Sequence, residues 1–568
     1  MKKPIIIGGR DDGFGEKMRA LLNAIFVAQE LGLEWGFVWP DCWEEQLEGG
    51  AVKSPMANLP KMSELFSEDF IRRYQRPELP SNYLIPVLER HYQKSIKNLL
   101  TPPFEHDWGW YMTQGDLDVW FKDVSRAHYR KSLASIFASM DFSPEARAVF
   151  RLVDERGLGD FVALHIRSGE TLYKDYYVKT WWHCRYKVSP YPLNVAVALD
   201  ELKKGHRVVL FSDDFPVCDA IKSYLTRLNP NYEGKIFTAT EFKPSDLKGW
   251  EDLLFDVYLM SKAKRIYCSW TTGFARFACY IGHNELIALP EHYSVAQSYE
   301  LMVKFIDIEG VHPRQAGFCY FFLYLLAKDL NLPFEMRHAY LERSFEIWPN
   351  DSTQLFRIDL LLERGLFEEA EALLGGLSPE NRQDLLTLML EYPGFNPTFP
   401  FHIFSRYFLS AKYHHLTRFA FEIYLAFYDE KSIANAYHPG FREPLMHAFG
   451  AAFSPAQDSQ PTPQNIDIYK RHSLAYTLGR AMIENSKSLL GYIRMPYVLS
   501  YLREQHAKET QRLRDEDVYC KFYNEAETLS VELGRALIRA HKAWFKGGYI
   551  KLIFIDIPLI KKNFKERR

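Results

Sequence analysis

The stretch Phe161-Val162-Ala163-Leu164-His165-Ile166-Arg167-Ser168-Gly169-Glu170 decides the fold. Its first six residues form a short apolar run of the kind expected for a buried strand. The run delivers His165 and Arg167 two positions apart, and side chains at i and i+2 of an extended segment share a direction. Arg167 carries a planar fork of donors suited to a phosphate, and Gly169 lets a ligand approach the backbone closely. Taken alone, the segment reads as a core histidine and a surface arginine at an ordinary strand end. Its surroundings carry the weight.

Downstream the pattern repeats. Val195 to Lys203 reads as a helix, and Arg207-Val208-Val209-Leu210-Phe211 as a strand ending in Ser212-Asp213-Asp214. Lys235-Ile236-Phe237 is a further strand, Asp252 to Ala263 a helix, Arg265-Ile266-Tyr267-Cys268 a strand, and Gly273 to Ile281 a helix. Such alternation builds a parallel sheet whose ligands sit outside the C-terminal strand ends. Ser269, Thr271, Thr272 and Gly273 fall at a strand-to-helix turn whose free amides form a ready anion site, with Arg276 one turn further on. Upstream, Pro4 to Ile7 is a strand, Gly8 to Gly15 a glycine-rich loop, and Phe14, Met18, Leu21, Leu22 and Ile25 form one helical stripe before Gly32. Trp35 to Trp39 reads as the next strand. Two α/β domains are expected, residues 1–155 and 156–305.

Beyond residue ~310 helical patterns dominate. In residues 306–455, Tyr340 to Asn350 leads into Leu360 to Leu374 like a tetratricopeptide-type helix pair, with a turn at Pro349-Asn350 and small residues at Gly365 and Ala370. Ala456 to Asn465 has linker composition. In residues 466–568, Leu478-Gly479-Arg480-Ala481-Met482-Ile483 is echoed by Leu533-Gly534-Arg535-Ala536-Leu537-Ile538, which suggests duplicated helical hairpins. The end, Leu552-Ile553-Phe554-Ile555 and a basic tail from Lys561 to Arg568, suits docking on an anionic membrane surface. A terminal helix packed on its own repeat, with solvated lysines, is the equal alternative.

The chain of 568 residues is 47% hydrophobic and 25% charged with a net charge of −2, which describes a multidomain soluble protein. It lacks the basic excess of a nucleic-acid binder. Its 7 cysteines are scattered without a C-x-x-C pair, against both a disulfide framework and a zinc site. The N-terminus has no h-region and no run reaches the ~18 apolar residues of a membrane span. The expected location is therefore cytoplasmic, extending to the inner membrane face if the tail docks there. Asp116-Leu117-Asp118 and Asp515-Glu516-Asp517 read as solvated turns rather than metal ligands.

In order along the chain come a glycine loop with Arg19, His165-x-Arg167-x-Gly169-Glu170, Ser212-Asp213-Asp214, and Asp256-Val257-Tyr258-Leu259-Met260-Ser261 followed by Ser269-Trp270-Thr271-Thr272-Gly273. This order resembles the fucosyltransferase superfamily. The likeness is nearest to the α-1,2-fucosyltransferases and more distant to the α-1,6- and protein O-fucosyltransferases. The resemblance implies a GT-B fold, two Rossmann-like domains facing a cleft, here followed by an all-α repeat-like region. It implies inverting transfer from GDP-fucose to a glycan or lipid-linked acceptor, with no metal and no cofactor. Under it, Arg167 binds the β-phosphate of the donor and His165 positions the diphosphate or sugar. Asp213 and Asp214 face the nucleoside, and Ser269, Thr271 and Thr272 meet phosphates, with Gly169, Gly273 and Arg276 completing the donor site. Asp175 is the candidate base, Glu170 orients the loop, and Asp12 and Glu16 are further carboxylates. Gly9, Gly13, Gly15 and Arg19 belong to the opposing loop. The sequence departs from the family at Ser168, Glu170 and Trp270, which leaves a CMP- or UDP-linked donor open. A helical-repeat interaction protein with an inactive transferase domain is the non-enzymatic alternative.

Overall fold

The computed structural model describes residues 3–10, 13–40, 59–81, 92–168, 172, 187–247, 249–270, 272–391, 413–428 and 557. The β-branched run at the N-terminus becomes Ile5–Gly8 (β1). It lies between two parallel neighbours, Glu34–Phe37 (β2) and Gly109–Tyr111 (β3). The helix Phe14–Leu31 (α1) joins β1 to β2 and stops before Gly32, as the apolar stripe predicts. Strand β2 starts one residue before the expected Trp35 and ends at Phe37. Helices Arg126–Ser139 (α2) and Pro144–Arg156 (α3) follow.

The second sheet begins with Phe161–Ile166 (β4), buried at every position. After it come Tyr191–Lys203 (α4), Arg207–Ser212 (β5), Phe215–Leu228 (α5), Ile236–Thr238 (β6), Trp250–Met260 (α6), Arg265–Cys268 (β7), Gly273–Gly282 (α7) and Glu285–Ala288 (β8). Helix α4 starts four residues before the periodicity suggests, because Pro192 sits in its first turn, where a missing N–H costs nothing. The strand order is β6-β5-β4-β7-β8 and all pairs are parallel. Strand β4 carries no polar face because a parallel sheet is covered on both sides. From β4 the chain winds outward through β5 and β6, then returns to the other side as β7 and β8. The order therefore reverses between β4 and β7, which is where open α/β sheets bind their ligands.

The two sheets are joined through α1 and α7. A Cβ built on Gly15 would lie 2.5 Å from the carbonyl carbon and oxygen of Gly273, and one on Gly273 would lie 2.2 Å from Glu16 Oε1. Only glycine allows the first turns of these two helices to touch. Behind this contact the Phe14 ring meets Phe277 edge-on at 5.6 Å.

Helices Val295–Phe305 (α8), Pro313–Asp329 (α9) and Phe334–Ile347 (α10) follow the second sheet. The chain divides into two compact units, residues 1–357 and 358–568. Pro349-Asn350 separates α10 from Asp351–Arg364 (α11), and Asn350 Oδ1 accepts the amide hydrogen of Thr353 at 2.9 Å. The second unit contains Phe367–Gly375 (α12), Pro379–Glu391 (α13) and His414–Tyr428 (α14). The linker, the duplicated segments, Asp515-Glu516-Asp517 and the basic tail lie outside the described residues. Among the described residues no helix is long and apolar enough to cross a membrane.

Replacing Gly15 by alanine forces the α1–α7 contact apart, an overpacking that costs about 1–3 kcal/mol. Urea denaturation reads this as a lowered midpoint. An unchanged midpoint contradicts the contact.

Candidate functional site

The exit of β4 supplies the first groups. His165 is 8% exposed, and its Nδ1 lies 3.2 Å from Thr272 Oγ1. Phe274 covers its ring at 5.5 Å between centroids. Burial pushes the imidazolium pKa down to about 4; Arg167 acts the same way and Asp213 opposes. The ring is therefore neutral at neutral pH, with one donor and one acceptor nitrogen. Arg167 is half-buried, and among the described residues no hydrogen bond or ion pair engages its guanidinium.

The corner after β5 holds that exit in place. Ser212 donates its hydroxyl to the carbonyl of Ile166 at 2.6 Å and accepts the Asp214 amide at 2.9 Å. The Ser168 amide donates to Asp213 Oδ1 at 3.0 Å, and Gln315 Nε2 in α9 donates to Asp214 Oδ2 at 2.6 Å. The amide of Ser189 donates to the Arg167 carbonyl at 3.0 Å. Both aspartates expected to face a nucleoside thus carry protein hydrogen bonds, and Asp214 is only 7% exposed. Asp213 fixes the backbone just past Arg167, and Asp214 ties the β5 corner to α9. Gln315 and Ser189 escaped the sequence reading, since nothing local marks a buried amide in an apolar helix or a serine before a proline.

The exit of β7 supplies the rest. Ser269 is 2% exposed and Thr272 is fully buried. Thr272 is the N-cap of α7 but does not bond the helix with its side chain; that hydroxyl is the one facing His165. The first-turn amides of α7 have no intrahelical acceptors. Among the described residues, the hydroxyls of Ser168 and Ser269 are buried without any hydrogen-bond partner. Trp270 is 41% exposed, and its indole N–H donates to Glu291 at 3.1 Å. Arg276 braces the turn: it donates to the Trp270 carbonyl at 3.0 Å and to Asp116 at 3.1 Å.

On the opposing side Gly9 lies against the Tyr111 ring, Gly13 is the N-cap of α1, and Gly15 touches Gly273. Glu16 therefore sits over the first turn of α7, where a negative charge is favoured. Arg19 is 5% exposed and donates to Glu16 at 2.8 Å and to the Tyr280 hydroxyl at 3.4 Å. Arg19 is thus a buried brace rather than a loop residue. Asp12, Gly169, Glu170, Thr271 and Asp175 lie outside the described residues.

The structure corrects the reading of Asp116 as a solvated turn residue. Its side chain is 16% exposed and meets Arg276 at 3.1 Å, Arg130 at 3.5 Å and Arg19 at 3.6 Å, besides accepting from the Tyr280 hydroxyl. Burial alone would raise its pKa, but Arg19, Arg130, Tyr280 and Arg276 together hold it below the ordinary carboxylate value.

One guanidinium, one neutral imidazole, two unpartnered hydroxyls and a helix N-terminus converge on the switch point between β4 and β7. These groups suit an oxyanion of the phosphate kind; among the described residues the carboxylates beside them, Asp213 and Asp214, carry protein hydrogen bonds.

Residues 466–566 match a family described as Domain of unknown function (DUF8374). No curated protein matches the chain. Among solved structures, the chain is similar to the fucosyltransferase NodZ from Bradyrhizobium at 16% identity and a TM-score of 0.28, covering 49% of this chain and 93% of that one. It is similar to NodZ α-1,6-fucosyltransferase soaked with GDP-fucose at 15% identity and a TM-score of 0.26, covering 49% and 93%. The same enzyme co-crystallised with GDP gives 17% identity and a TM-score of 0.27, covering 49% and 92%. Likeness at this level assigns no residue a role.

Two outcomes follow from the geometry. Between the unfolded pKa of 6.5 and the folded value of about 4, the unfolded chain takes up a proton on His165 that the native chain refuses. Stability therefore falls as pH drops through that window. His165→Gln flattens this dependence in denaturation curves collected across it; an unaltered slope contradicts the buried neutral ring. Asp116→Ala leaves buried arginines short of their counter-charge and costs roughly 3–5 kcal/mol, read as a loss of thermal stability.

Proposed function

We propose that the protein is a glycosyltransferase that moves a sugar, fucose, from its GDP-linked donor to a hydroxyl of a glycan or lipid-linked acceptor. The observation that carries this reading is the meeting of Arg167, His165, Ser168, Ser269 and the start of α7 at the switch point of a parallel sheet. The motif resemblance supplies the identity of the donor; the geometry supports a diphosphate in general.

In the proposed reaction the acceptor oxygen attacks the anomeric carbon from the face opposite the nucleotide. The bond from that carbon to the β-phosphate oxygen breaks, and GDP leaves with the bonding pair. Negative charge grows on the departing phosphate. A fixed guanidinium there gains most in the transition state, when that charge is largest. The neutral imidazole of His165 can accept from Thr272 while donating its other N–H. The hydroxyls of Ser168 and Ser269 and the amides of α7 add donors without further net charge. The acceptor proton passes to a carboxylate within hydrogen-bond reach, for which Asp175 is the proposed base and Glu170 orients the loop. No step calls for a metal. A location at the inner membrane face through the basic tail belongs to the same proposal.

Thermal melting with GDP, UDP, CMP and GDP-fucose, together with release of GDP from GDP-fucose, tests the reading. GDP raises the melting temperature of the native chain and not that of Arg167→Ala. The variant loses about 10²–10³ in turnover, the usual loss of one donor to a developing oxyanion. Stabilisation by UDP or CMP alone moves the donor to that nucleotide. No response to any nucleotide overturns the proposal.

A further inference from the structure

The second compact unit holds a group of side chains that the proposed transferase reaction does not use. Glu371 lies in α12, and His414 and His415 open α14. One ligand atom from each of the three lies within 4.8 Å of the other two. Glu371 is held in place by the backbone: Oε1 accepts the amide hydrogen of His415 at 2.8 Å and Oε2 that of Leu416 at 2.9 Å. A carboxylate has about four lone-pair sites, so roughly two remain for another partner. The His415 ring rests on Gly375, where a Cβ would lie 3.0 Å from Nε2. Its Nδ1 is buried and, among the described residues, has no hydrogen-bond partner. The two rings stand nearly perpendicular, 85° apart with centroids at 4.9 Å.

We propose that Glu371, His414 and His415 form a binding site for a first-row transition dication, zinc being the probe of choice. Two imidazoles and one carboxylate are a borderline-soft set that matches zinc, cobalt or nickel and not calcium or magnesium. The fixed carboxylate is oriented by two backbone amides, the outer-shell support that metal ligands ordinarily carry. Arg418 and Arg382 lie near His414. The two arginines repel a dication; the charge of Arg418 is offset by Glu422 at 3.0 Å. Three protein ligands leave a tetrahedral zinc one position for solvent. Such a site would tie α12 to α14 as a cross-link within the unit.

The test is calorimetric titration of zinc chloride into the full chain after treatment with a chelator. One zinc per chain is expected, and His414→Ala and Glu371→Gln each weaken it by at least ~10-fold, the smallest loss seen even for outer-shell partners. His414 is exposed, so its replacement disturbs the helix packing less than a core change would and decides the matter even if Glu371→Gln loses its helix cap. Absence of binding, or binding that His414→Ala leaves unchanged, overturns the site; the latter places the metal elsewhere on the chain. The outcome is independent of whether the first unit binds a nucleotide.

Discussion

The carboxylate of Asp116 is the point on which the first unit turns. It lies in the turn after β3, in the first sheet, and pairs with Arg276 of α7, which belongs to the second. Arg19 of α1 and Arg130 of α2 approach the same carboxylate. Asn23 of α1 holds the other end of that turn, donating to the carbonyls of Thr113 and Gly115 at 2.8 and 2.9 Å. Tyr129 donates its hydroxyl to Asn23 Oδ1 at 2.6 Å and so joins α2 to the same assembly. Removing such charges from water is expensive, and the cost is recovered only when geometry and further hydrogen bonds are good. Here Tyr280 supplies one of them: burial keeps its hydroxyl protonated, so it donates to Asp116 while its ring lies 4.5 Å from the Arg130 guanidinium. Three carboxylates, Glu16, Asp116 and Asp118, face the arginines at 19, 126, 130 and 276.

That arrangement fixes more than stability. The touching glycines bring the first turn of α1 onto the first turn of α7, and Glu16 occupies the flank of the helix end. His165 stands on the β4 side of that helix end, facing Thr272, with Arg167 two residues further along the chain. Keeping His165 neutral is part of the same logic. A second cation beside Arg167 in a buried setting would be mutually destabilising. The buried ring stays a hydrogen-bonding group, and the positive charge is left to the guanidinium of Arg167.

The central strands were legible because they are buried on both faces. Phe161 to Ile166 is apolar but for His165, and Ile266 to Cys268 is apolar after Arg265; the structure returns both strands with the bounds read from the sequence. The edges were not legible. Glu285–Ala288 is four residues of mixed polarity, and Gly109–Tyr111 is three residues in an aromatic, proline-bounded stretch. Both depend on a neighbouring strand already in place, which periodicity cannot reveal. The site divides the same way. His165, Arg167, Ser269 and Thr272 follow from their positions at strand ends. Asp116 does not, because its partners at 19, 130, 276 and 280 are scattered in sequence, and a short Asp-Leu-Asp turn looks solvated until they arrive. Asp213 and Asp214 were found for their chemistry, but the bonds they make to Ser168 and Gln315 belong to tertiary structure.

Unpartnered polar atoms sharpen the contrast between the two polar clusters of this unit. A buried hydroxyl left without a partner costs about 1–3 kcal/mol. Such atoms are not confined to the site: Gln315 Oε1 and Asn194 Oδ1 are also unsatisfied. What distinguishes the β4 and β7 exits is concentration and direction. Around Asp116 most donors meet acceptors, although Arg19 Nε and Asp118 Oδ1 are buried without partners among the described residues. At the strand ends, among the described residues, the hydroxyls of Ser168 and Ser269 have no partner and no acceptor engages the Arg167 guanidinium; beside them stand helix amides that are donors as well. Among the described residues, unmet polar groups are thus concentrated at the position where parallel sheets bind ligands, and it is on that concentration that the proposed diphosphate reading rests.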